Sequence, residues 1–407
     1  MRILVVSKYY RPDGGPAAPL YTLLCERLAQ RGHEVTVLTA VPHYPSGRVA
    51  KGFRGFWVRQ TVENGVKVFR IPLPSVNRSR LPSRLFQFAV FQLRATLAGL
   101  GLKYDLILTH TPSLEVLLPF AYFAVIRHKP SVYSVHDVYP DVGVKLGIFH
   151  NPKLIWVIGL LEKFCLRKAT RVRVLSRSFI PTVQQMGVPD DRICLLYDWV
   201  DTDRIKGMAR DNSFAREYGL IEPFVVLYAG NLGFVQGLET VLDSANLLKD
   251  RKDIRFVFVG DGGAKQELQN IAIQHNLRNV DFIPYQPLER MAEVFSTADV
   301  CLVSLKKGTG FGALPSKTFS ILASERPVIA CVDEGTDTWD LVKKAAAGVC
   351  VKPEDPESLV NAILALQQND RLRLDYGKNG REYILKYHSP DTAALAFEKL
   401  IQNIINP

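Results

Sequence analysis

The sequence predicts an α/β protein made of two doubly wound domains, and three observations support this. The chain has 407 residues, more than one ordinary hydrophobic core organises, and this length fits two domains of about 200 residues each. Short apolar segments of strand length alternate with longer amphipathic segments, which is typical of parallel sheets covered by helices on both faces. The alternation runs twice, and a charged stretch without periodicity, Asp198 to Glu222, separates the two series.

The first series opens with a βαβ unit. Strand Arg2–Val6, a Gly/Pro-rich loop, a leucine-rich helix and strand Val35–Thr39 follow one another, and this order requires parallel strands joined by a right-handed crossover. The later strands of this series are predicted at Val66–Ile71, Asp105–Thr109, Val132–Val135, Arg171–Leu175 and Ile193–Leu196. Its later helices are predicted near Ser83–Gly99, Leu114–Ile126, Pro152–Lys168 and Arg177–Met186.

The second series repeats the alternation. Its strands are predicted at Phe224–Ala229, Phe256–Gly260, Val280–Ile283, Val300–Ser304, Val328–Cys331 and Gly348–Val351. Its helices are predicted near Gly237–Asp250, Ala264–His275, Leu288–Ser296, Pro315–Ala323, Thr338–Ala346 and Pro356–Gln368. In each sheet we expect the ligand at the carboxyl edge of the strands.

Composition narrows the class of partner. The chain carries 51 Lys+Arg against 40 Asp+Glu, a net charge of +11, which favours anionic partners. These basic residues are spread along the chain rather than gathered on one recognition element, which argues against nucleic acid. The six cysteines show neither CxxC nor metal spacing, as in a reduced cytoplasmic protein. The N-terminus does not read as a signal peptide, and no segment reaches the ~18 apolar residues of a membrane span.

Three loops after predicted strands suit a diphosphate. Gly14–Gly15 follows the first strand, Tyr228–Gly237 (YAGNLGFVQG) follows the first strand of the second series, and Leu314–Lys317 (LPSK) opens a helix. Glycine lets backbone approach a phosphate closely, while a helix N-terminus, a hydroxyl and an ammonium favour an anion. The candidate diphosphate residues are Gly15, Gly230, Asn231, Gly233, Gln236, Ser316 and Lys317.

Histidines mark the ends of two strands in the first domain. His110 stands in LTHTP, and His136 is followed directly by Asp137. A histidine exchanges protons near neutral pH, and a carboxylate beside it can orient a hydroxyl or stabilise positive charge. These three residues are the catalytic candidates, although a histidine at a strand end is often structural. No His, Asp and Glu set has metal-ligand spacing, so we expect no protein-held metal.

These segments, in this order, resemble glycosyltransferase family 4 over essentially the whole chain. The most specific segments are Tyr228–Gly237, Val259–Gly262 and Leu314–Ala330. The chain looks most similar to the transferases of bacterial exopolysaccharide and O-antigen assembly, including the colanic-acid type. Those enzymes carry AGN-x-G-x-x-QGLE, PSK and a DWVD-like segment, here Asp198–Asp201. The resemblance implies the GT-B fold, in which two Rossmann-like domains face each other across a cleft, and retention of anomeric configuration.

The resemblance also implies that the acceptor and the donor bind to different domains. An acceptor domain would span 1–202, with a C-terminal helix in 389–407 packing back on it, and a donor domain would span 203–388. The co-substrate would be a nucleotide diphosphate sugar, with no other cofactor, and the acceptor a saccharide, probably one linked to a lipid in the family. In a front-face displacement, His110 would contact the donor sugar. The candidate nucleoside residues are Gly260, Asp261, Pro284, Tyr285 and Gln286.

Two departures from the family pattern affect individual residues. Many members have Arg and Lys on the diphosphate loop, where this chain has Asn231 and Gln236. Many also carry a Glu-x7-Glu pair, and the matching positions here are Gly312 and Ser320. These departures leave Lys317 as the expected positive charge on the diphosphate.

Two alternatives and one attachment hypothesis stay open. A nucleotide-sugar 2-epimerase would need several carboxylates, and the first domain offers mainly Asp137 and Asp141. A non-catalytic GT-B scaffold would account for the missing Glu pair. Segments Arg78–Leu102 and Pro152–Lys168 combine basic with aromatic residues, which suits an anionic membrane surface. We therefore expect a cytoplasmic protein and hypothesise peripheral attachment to the inner face of the membrane, the alternative being helices that only pack on the sheet.

Overall fold

The computed structural model describes residues 1–15, 17–78, 80–145, 149–312 and 314–405. They divide into two compact units, Met1–Asp198 with Pro390–Pro407, and Trp199–Ser389. Each unit contains one sheet dominated by parallel strands, with helices between consecutive strands. The predicted α/β class is therefore confirmed.

The sheet of the first unit has eight strands in the order β3-β4-β2-β1-β5-β6-β7-β8. They are β1 Arg2–Val6, β2 Glu34–Ala40, β3 Arg59–Glu63, β4 Val66–Ile71, β5 Leu106–His110, β6 Ser131–Val135, β7 Arg171–Val174 and β8 Ile193–Leu195. All neighbours pair in parallel except β3 with β4. Strands β5 and β6 are buried over their whole length, so both faces of the sheet are covered at its centre.

Strand β3 was not predicted, because it does not look like part of a buried parallel sheet. Its residues RQTVE are mostly exposed, and it pairs antiparallel with β4 at the edge. Asn64 and Gly65 both have positive φ, 48° and 83°, which is the geometry of a two-residue hairpin turn. An Asn-Gly pair ahead of an apolar strand is thus the signal that identifies this hairpin.

Most helices of the first unit lie near the predicted positions, but the short helix Asp141–Lys145 was not predicted. They are α1 Ala18–Gln30, α2 Leu81–Gly99, α3 Ser113–Phe120, α4 Asp141–Lys145, α5 Pro152–Lys168 and α6 Ile180–Gln185. A π-helical turn, Ala121–Ile126, continues α3. Helix α3 packs against both α2 and α5, so these three helices form one layer.

The second unit has six parallel strands in the order β11-β10-β9-β12-β13-β14. They are β9 Phe224–Ala229, β10 Ile254–Val259, β11 Val280–Ile283, β12 Val300–Ser304, β13 Val328–Cys331 and β14 Gly348–Val351. This order, with the crossover between β9 and β12, is that of a dinucleotide-binding domain, whose ligands bind where the strand order reverses. Along β9, Val225 and Leu227 belong to one buried cluster and Val226 and Tyr228 to another, so both faces are covered.

The helices of the second unit are α7 Ser213–Glu217, α8 Leu238–Leu247, α9 Lys265–Gln274, α10 Met291–Thr297, α11 Lys317–Ala323, α12 Asp337–Lys344, α13 Pro356–Gln367 and α14 Asp370–Tyr387. Helix α15, Pro390–Ile405, then joins the first unit. It packs on α1, where Glu398 pairs with Arg31 at 2.7 Å and with His33 at 2.8 Å.

Candidate active site

Two glycines bring the loops after β9 and β10 into contact. Gly230 and Gly260 have φ of 138° and 150°, a region that other residues rarely adopt. A Cβ on Gly260 would lie 2.0 Å from the Gly230 carbonyl oxygen, and one on Gly230 would lie 3.1 Å from Lys317 Nζ. Larger residues would push these loops apart and displace the lysine.

Lys317 is the first residue of α11, and its ammonium points at Tyr228, on β9. Nζ donates a hydrogen bond to the Tyr228 hydroxyl and lies 3.7 Å from the centroid of its ring. Burial lowers the pKa of Lys317 to about 7, because a desolvated ammonium is less stable than one in water. An anion bound here would stabilise the charged form.

Tyr228 links three of the predicted diphosphate residues. Its hydroxyl accepts from Lys317 and lies 2.8 Å from the Asn231 carbonyl oxygen and 3.1 Å from Gln236 Oε1. A hydroxyl has one hydrogen, so it donates to one of these two oxygens at a time. The structure therefore brings Asn231, Gln236 and Lys317 into one network around Tyr228, to which sequence reasoning assigned no role.

Three other predicted residues of the second unit, Ser316, Gly233 and Asp261, differ in their exposure and contacts. Ser316 is exposed directly before α11, and a Cβ on Gly233 would lie 2.6 Å from Asn231 Nδ2. Asp261 is exposed and accepts from the Gly262 amide at 2.9 Å. A role of these residues in ligand binding stays a prediction.

The nucleoside candidates after β11 divide by exposure. Pro284 is exposed, and Tyr285 is 72% exposed. Gln286 is buried; its amide donates to the Pro284 carbonyl at 3.1 Å and its Oε1 accepts from Arg290 at 3.2 Å. The Gln286 side chain therefore shapes the loop, and Tyr285 is the better candidate for direct contact.

Gly15 has a packing role that accounts for the glycine. Its amide donates to Asp13 Oδ1 at 3.0 Å, and a Cβ would lie 2.3 Å from the Tyr9 ring. Because Asp13 already accepts from this amide, the arrangement does not offer the Gly15 N–H to a phosphate. A diphosphate contact by Gly15 stays a prediction that would need this loop to change.

His110 lies at the end of β5 as a buried, neutral ring. Nδ1 is 2.7 Å from the Thr111 carbonyl oxygen, which only accepts, so Nδ1 carries the proton. Nε2 lies 2.9 Å from the Ser7 hydroxyl, whose single hydrogen is also directed at the Tyr9 carbonyl oxygen at 2.9 Å, so Ser7 donates to one of these two acceptors at a time. Burial and the neighbouring His136 lower the pKa of His110 to about 3. Both nitrogens are engaged, which suits a positioned neutral group better than a group that exchanges protons.

His136 is the more accessible of the two histidines. Its ring lies 5.5 Å from that of His110, and Tyr21 contacts both rings. Its Nδ1 is 3.8 Å from Asp198 Oδ2, and its Nε2 is buried without a hydrogen-bond partner. The amides of His136 and Asp137 both donate to the Thr111 hydroxyl. The three catalytic candidates are thus adjacent, and His136 has the nitrogen that remains available.

A buried ion pair that the sequence analysis did not find supports His136. Arg173, on β7, has a fully buried side chain and pairs with Asp198 at 2.5 Å. Burial alone would raise the pKa of Asp198, but the charges of Arg173 and His136 and their hydrogen bonds outweigh burial and lower it. An arginine flanked by two valines in a strand predicted to be buried is the signal that could have found it, because a buried charge requires a partner.

Glu162, on α5, fixes the loop that follows His110. This buried carboxylate accepts from the Ser113 amide at 2.9 Å and from the Tyr133 hydroxyl at 2.8 Å. Ser113 is the first residue of α3, so Glu162 holds the start of that helix in place. It was read from the sequence only as part of an amphipathic helix.

Two features of the described residues bear on metal binding and on membrane attachment. Among the described residues, no group of three or more His, Cys, Asp or Glu side chains is placed to hold a metal ion. In the same part of the chain, no helix combines the length and hydropathy that crossing a membrane requires.

Known families and proteins match the chain along its length. A "Glycosyl transferase 4-like domain" matches residues 15–199 and "Glycosyl transferases group 1" matches residues 212–383. The putative colanic acid biosynthesis glycosyl transferase WcaI of Escherichia coli K12 is 29% identical over 391 residues, covering 93% of this chain and 96% of WcaI. The O-antigen chain mannosyltransferase C of Escherichia coli is 24% identical and covers 100% and 99% of the two chains.

A solved structure agrees with the fold. The crystal structure of Anabaena HepE in complex with UDP superimposes with a TM-score of 0.70 at 16% identity, covering 99% of this chain and 100% of HepE. At this identity the likeness concerns the fold alone. The predicted GT-B class is confirmed by this comparison and by the two family matches.

Proposed function

Since the chain belongs to the GT-B glycosyltransferases, with a family 4-like domain followed by a group 1 domain, we propose that it transfers a sugar from a nucleotide diphosphate sugar to a saccharide acceptor in the synthesis of a bacterial cell-surface polysaccharide. The names of its relatives support this polysaccharide class, since one is a colanic acid enzyme and another an O-antigen enzyme. Transfer of a sugar is the class of reaction; the specific substrates are part of the proposal.

The observation that carries the donor assignment is the Lys317–Tyr228 network. A departing diphosphate gains negative charge as the sugar bond breaks, and it needs positive potential and N–H donors already in place. Lys317, beside two loops whose glycines allow close backbone approach, supplies such a place at the carboxyl ends of β9 and β10. We assign the diphosphate to this edge of the second unit.

The first unit supplies the acceptor side of the proposed reaction. The neutral His110 ring is suited to position the neighbouring His136 ring, whose Nδ1 faces Asp198 and whose Nε2 has no hydrogen-bond partner among the described residues. In the proposed front-face mechanism the leaving phosphate helps to deprotonate the acceptor hydroxyl, and the anomeric configuration is retained. In this mechanism neither His110 nor His136 has to form a covalent bond with the sugar.

A panel of nucleoside diphosphates tests the function. Thermal unfolding is measured with each nucleotide, since a ligand of the native state raises the melting temperature by mass action. Donor sugars of the bound base are then tested with and without saccharide acceptors. A product in which the sugar is linked to the acceptor supports the transferase. Conversion of the donor without an acceptor would indicate the epimerase. If no nucleotide binds, the protein would be the non-catalytic scaffold. Proton NMR of the new linkage tests retention.

Activity is expected to survive an excess of EDTA. The proposed positive charge on the diphosphate is Lys317, and no carboxylate cluster is needed to hold Mg²⁺ or Mn²⁺ against the phosphates. Turnover should change by less than about twofold after dialysis against EDTA. A complete loss that Mn²⁺ restores would contradict the metal-independent mechanism.

We also propose that the first unit attaches to an anionic membrane surface through the layer of α2, α3 and α5. Helix α2 exposes an apolar stripe and carries no acidic residue. The stripe consists of Pro82, Phe86, Ala89, Leu93, Leu97 and Leu100. Phe86 is 58% exposed, whereas Phe88 and Phe91 are buried, so only one of the three aromatic residues that the sequence offered faces outwards.

Helix α5 continues this surface with basic residues between apolar ones. Its exposed residues recur at helical spacing: Lys153, Trp156, Val157, Leu160, Lys163, Phe164, Arg167 and Lys168. Its one acidic residue, Glu162, is buried. An apolar stripe with lysines at its sides binds an anionic interface by insertion and by charge. Between α2 and α5, Leu118 on α3 is 46% exposed, so the apolar surface continues across the layer.

Vesicle co-sedimentation tests the attachment. Binding is expected to rise with the fraction of anionic lipid and to fall at high salt, because salt screens the lysines. The triple variant Trp156→Ser, Leu160→Ser, Phe164→Ser should lose most of its binding, whereas Ile273→Ser, which changes a residue of the second unit that is 75% exposed, should keep it. Equal recovery with neutral and anionic vesicles would contradict the electrostatic part. A wild-type dimer that the triple variant dissociates would assign the surface to a second copy.

A further inference from the structure

Three basic side chains of the first unit converge at the carboxyl edge of its sheet, and none of them belongs to the network described above. Lys8 lies just after β1, Arg78 lies before α2, and Arg84 lies in the first turns of α2. We call these three residues the basic cluster. Glu115 in α3 provides a carboxylate that pairs with Lys8.

Lys8 is fully buried and incompletely paired. Its Nζ lies 3.6 Å from Glu115 Oε1 and 4.0 Å from the centroid of the Phe88 ring, and it has no hydrogen-bond partner. Burial lowers the pKa of Lys8 to about 8; Glu115 opposes this shift, while Arg78 and Arg84 add to it. Two aromatic rings place the arginines near Lys8. Arg78 and Lys8 both lie beside the Tyr9 ring, and Arg84 lies one helical turn before Phe88, whose ring contacts Lys8.

The two arginines also have unused donors. Arg78 lies over Tyr44, with Cζ 5.0 Å from the ring centroid, and beside Tyr9, whose ring also contacts Lys8. Arg78 Nη1 and Arg84 Nε are both buried, and neither has a hydrogen-bond partner among the described residues. Within that part of the chain, each of the three side chains therefore presents at least one buried N–H group without an acceptor.

Such an arrangement is unfavourable unless a ligand completes it. A buried donor without an acceptor costs about 1–3 kcal/mol, more when it is charged, and like charges add to that cost. Glu115 balances one of the three positive charges. An oxyanion with several acceptor oxygens would neutralise the excess and accept from all three side chains.

We propose that the basic cluster binds an anionic group of the acceptor, a phosphate or a carboxylate. This inference rests on the proposed function, because it assigns the chemical class of the acceptor for the same enzyme. Arg84 and Phe86 belong to the same end of α2, so the cluster lies beside the helix that carries the proposed membrane surface. A phosphate near that surface is the arrangement that a lipid-linked acceptor requires, and phosphate is therefore the favoured anion.

Calorimetric titration with inorganic pyrophosphate tests the cluster on the full chain. Lys317→Ala is used as the background, because it removes the proposed donor-side charge. Pyrophosphate should still bind this variant, and adding Arg78→Gln and Arg84→Gln should weaken binding at least tenfold, as expected for loss of charged hydrogen bonds. The matched control is Arg80→Gln, since Arg80 is exposed in the same segment and should leave affinity unchanged.

Additional titrations identify the anion, and folding controls show whether a loss of binding is due to misfolding. Methyl glucuronide tests for a carboxylate ligand. If it binds more tightly than pyrophosphate, and its affinity also falls in the arginine variant, the cluster is assigned to an acidic sugar. The affinity for neutral methyl glucoside should be the same with and without the two arginines. Two measurements report folding: the melting temperature of each variant, and the nucleoside diphosphate affinity of the Arg78→Gln/Arg84→Gln variant with Lys317 intact. If the double variant unfolds, Arg84→Gln alone is titrated. Equal affinity for both anions in the cluster variant and in Arg80→Gln overturns the proposal. That outcome leaves the proposed function standing, since donor binding and sugar transfer are measured separately.

Discussion

Lys317→Ala is expected to weaken nucleoside diphosphate binding by about 1.5–3 kcal/mol, which is about ten- to 150-fold in dissociation constant. The reason is that its ammonium is the expected charge on the diphosphate, held in place by the Tyr228 hydroxyl. Isothermal titration calorimetry at pH 7 measures the change. The fold should survive, because the side chain lies at the edge of the sheet and its amine has a single hydrogen-bond partner that tolerates its loss.

The control for this variant is Lys344→Ala, which removes a lysine at the end of α12, more than half exposed and 4.0 Å from Asp340. It should bind nucleotide as the wild type does. Tyr228→Phe keeps the ring but removes the hydroxyl that orients the ammonium, so we expect an intermediate loss. Unchanged affinity in Lys317→Ala would place the positive charge elsewhere and show that the LPSK segment is not the diphosphate site.

The same lysine makes a prediction for pH. Without ligand, burial lowers the pKa of Lys317 to about 7, so the ammonium loses its proton as pH rises through 7. A bound diphosphate favours the charged form and raises that pKa, so binding takes up a proton above pH 7 and weakens as pH increases. Affinity should therefore fall between pH 7 and 9 in the wild type and stay nearly level in Lys317→Ala.

The sequence predicts the buried parts of the fold well, because burial on both faces leaves continuous apolar segments. Strands β1, β4, β9 and β12 lie where the alternation placed them. Strand β3 was missed since an edge strand needs no apolar face, and only its Asn64–Gly65 turn marks it. The apolar pattern therefore identifies the buried strands, whereas this edge strand can be recognised only from its turn.

The candidate site is predictable as a set of loops but not as a set of contacts. Sequence reasoning placed Lys317 and Gly230 correctly at strand and helix ends, yet the role of Tyr228 depends on the approach of α11 to β9, which no local pattern contains. Arg173 and Asp198 are 25 residues apart and meet only because β7 and the end of the first unit are neighbours. Gly15 shows why a glycine alone is weak evidence for a phosphate site, since a glycine that suits a phosphate equally suits the packing of Tyr9.

His110→Ala is expected to lower turnover about ten- to a thousandfold, the usual contribution of one positioned polar or acid–base group. Nucleoside diphosphate affinity should stay within about twofold of the wild type, because the proposed nucleotide contacts belong to the second unit. The ring also holds Ser7 and packs on Tyr21, so the comparison includes His110→Gln, which keeps a hydrogen-bonding side chain of similar length. Steady-state rates with saturating donor measure the effect, and melting temperatures report folding.

The pH profile tests whether His110 acts as a neutral group. Because the pKa of His110 is lowered to about 3, its ring stays neutral throughout the working range, and the profile of His110→Gln should keep the shape of the wild-type profile at a lower rate. His136→Gln is compared in the same turnover assay, because Nε2 of His136 has no hydrogen-bond partner among the described residues and its Nδ1 faces Asp198. Full turnover in His110→Ala would mean that this histidine only supports the loop after β5, and the catalytic assignment would pass to His136 and Asp137.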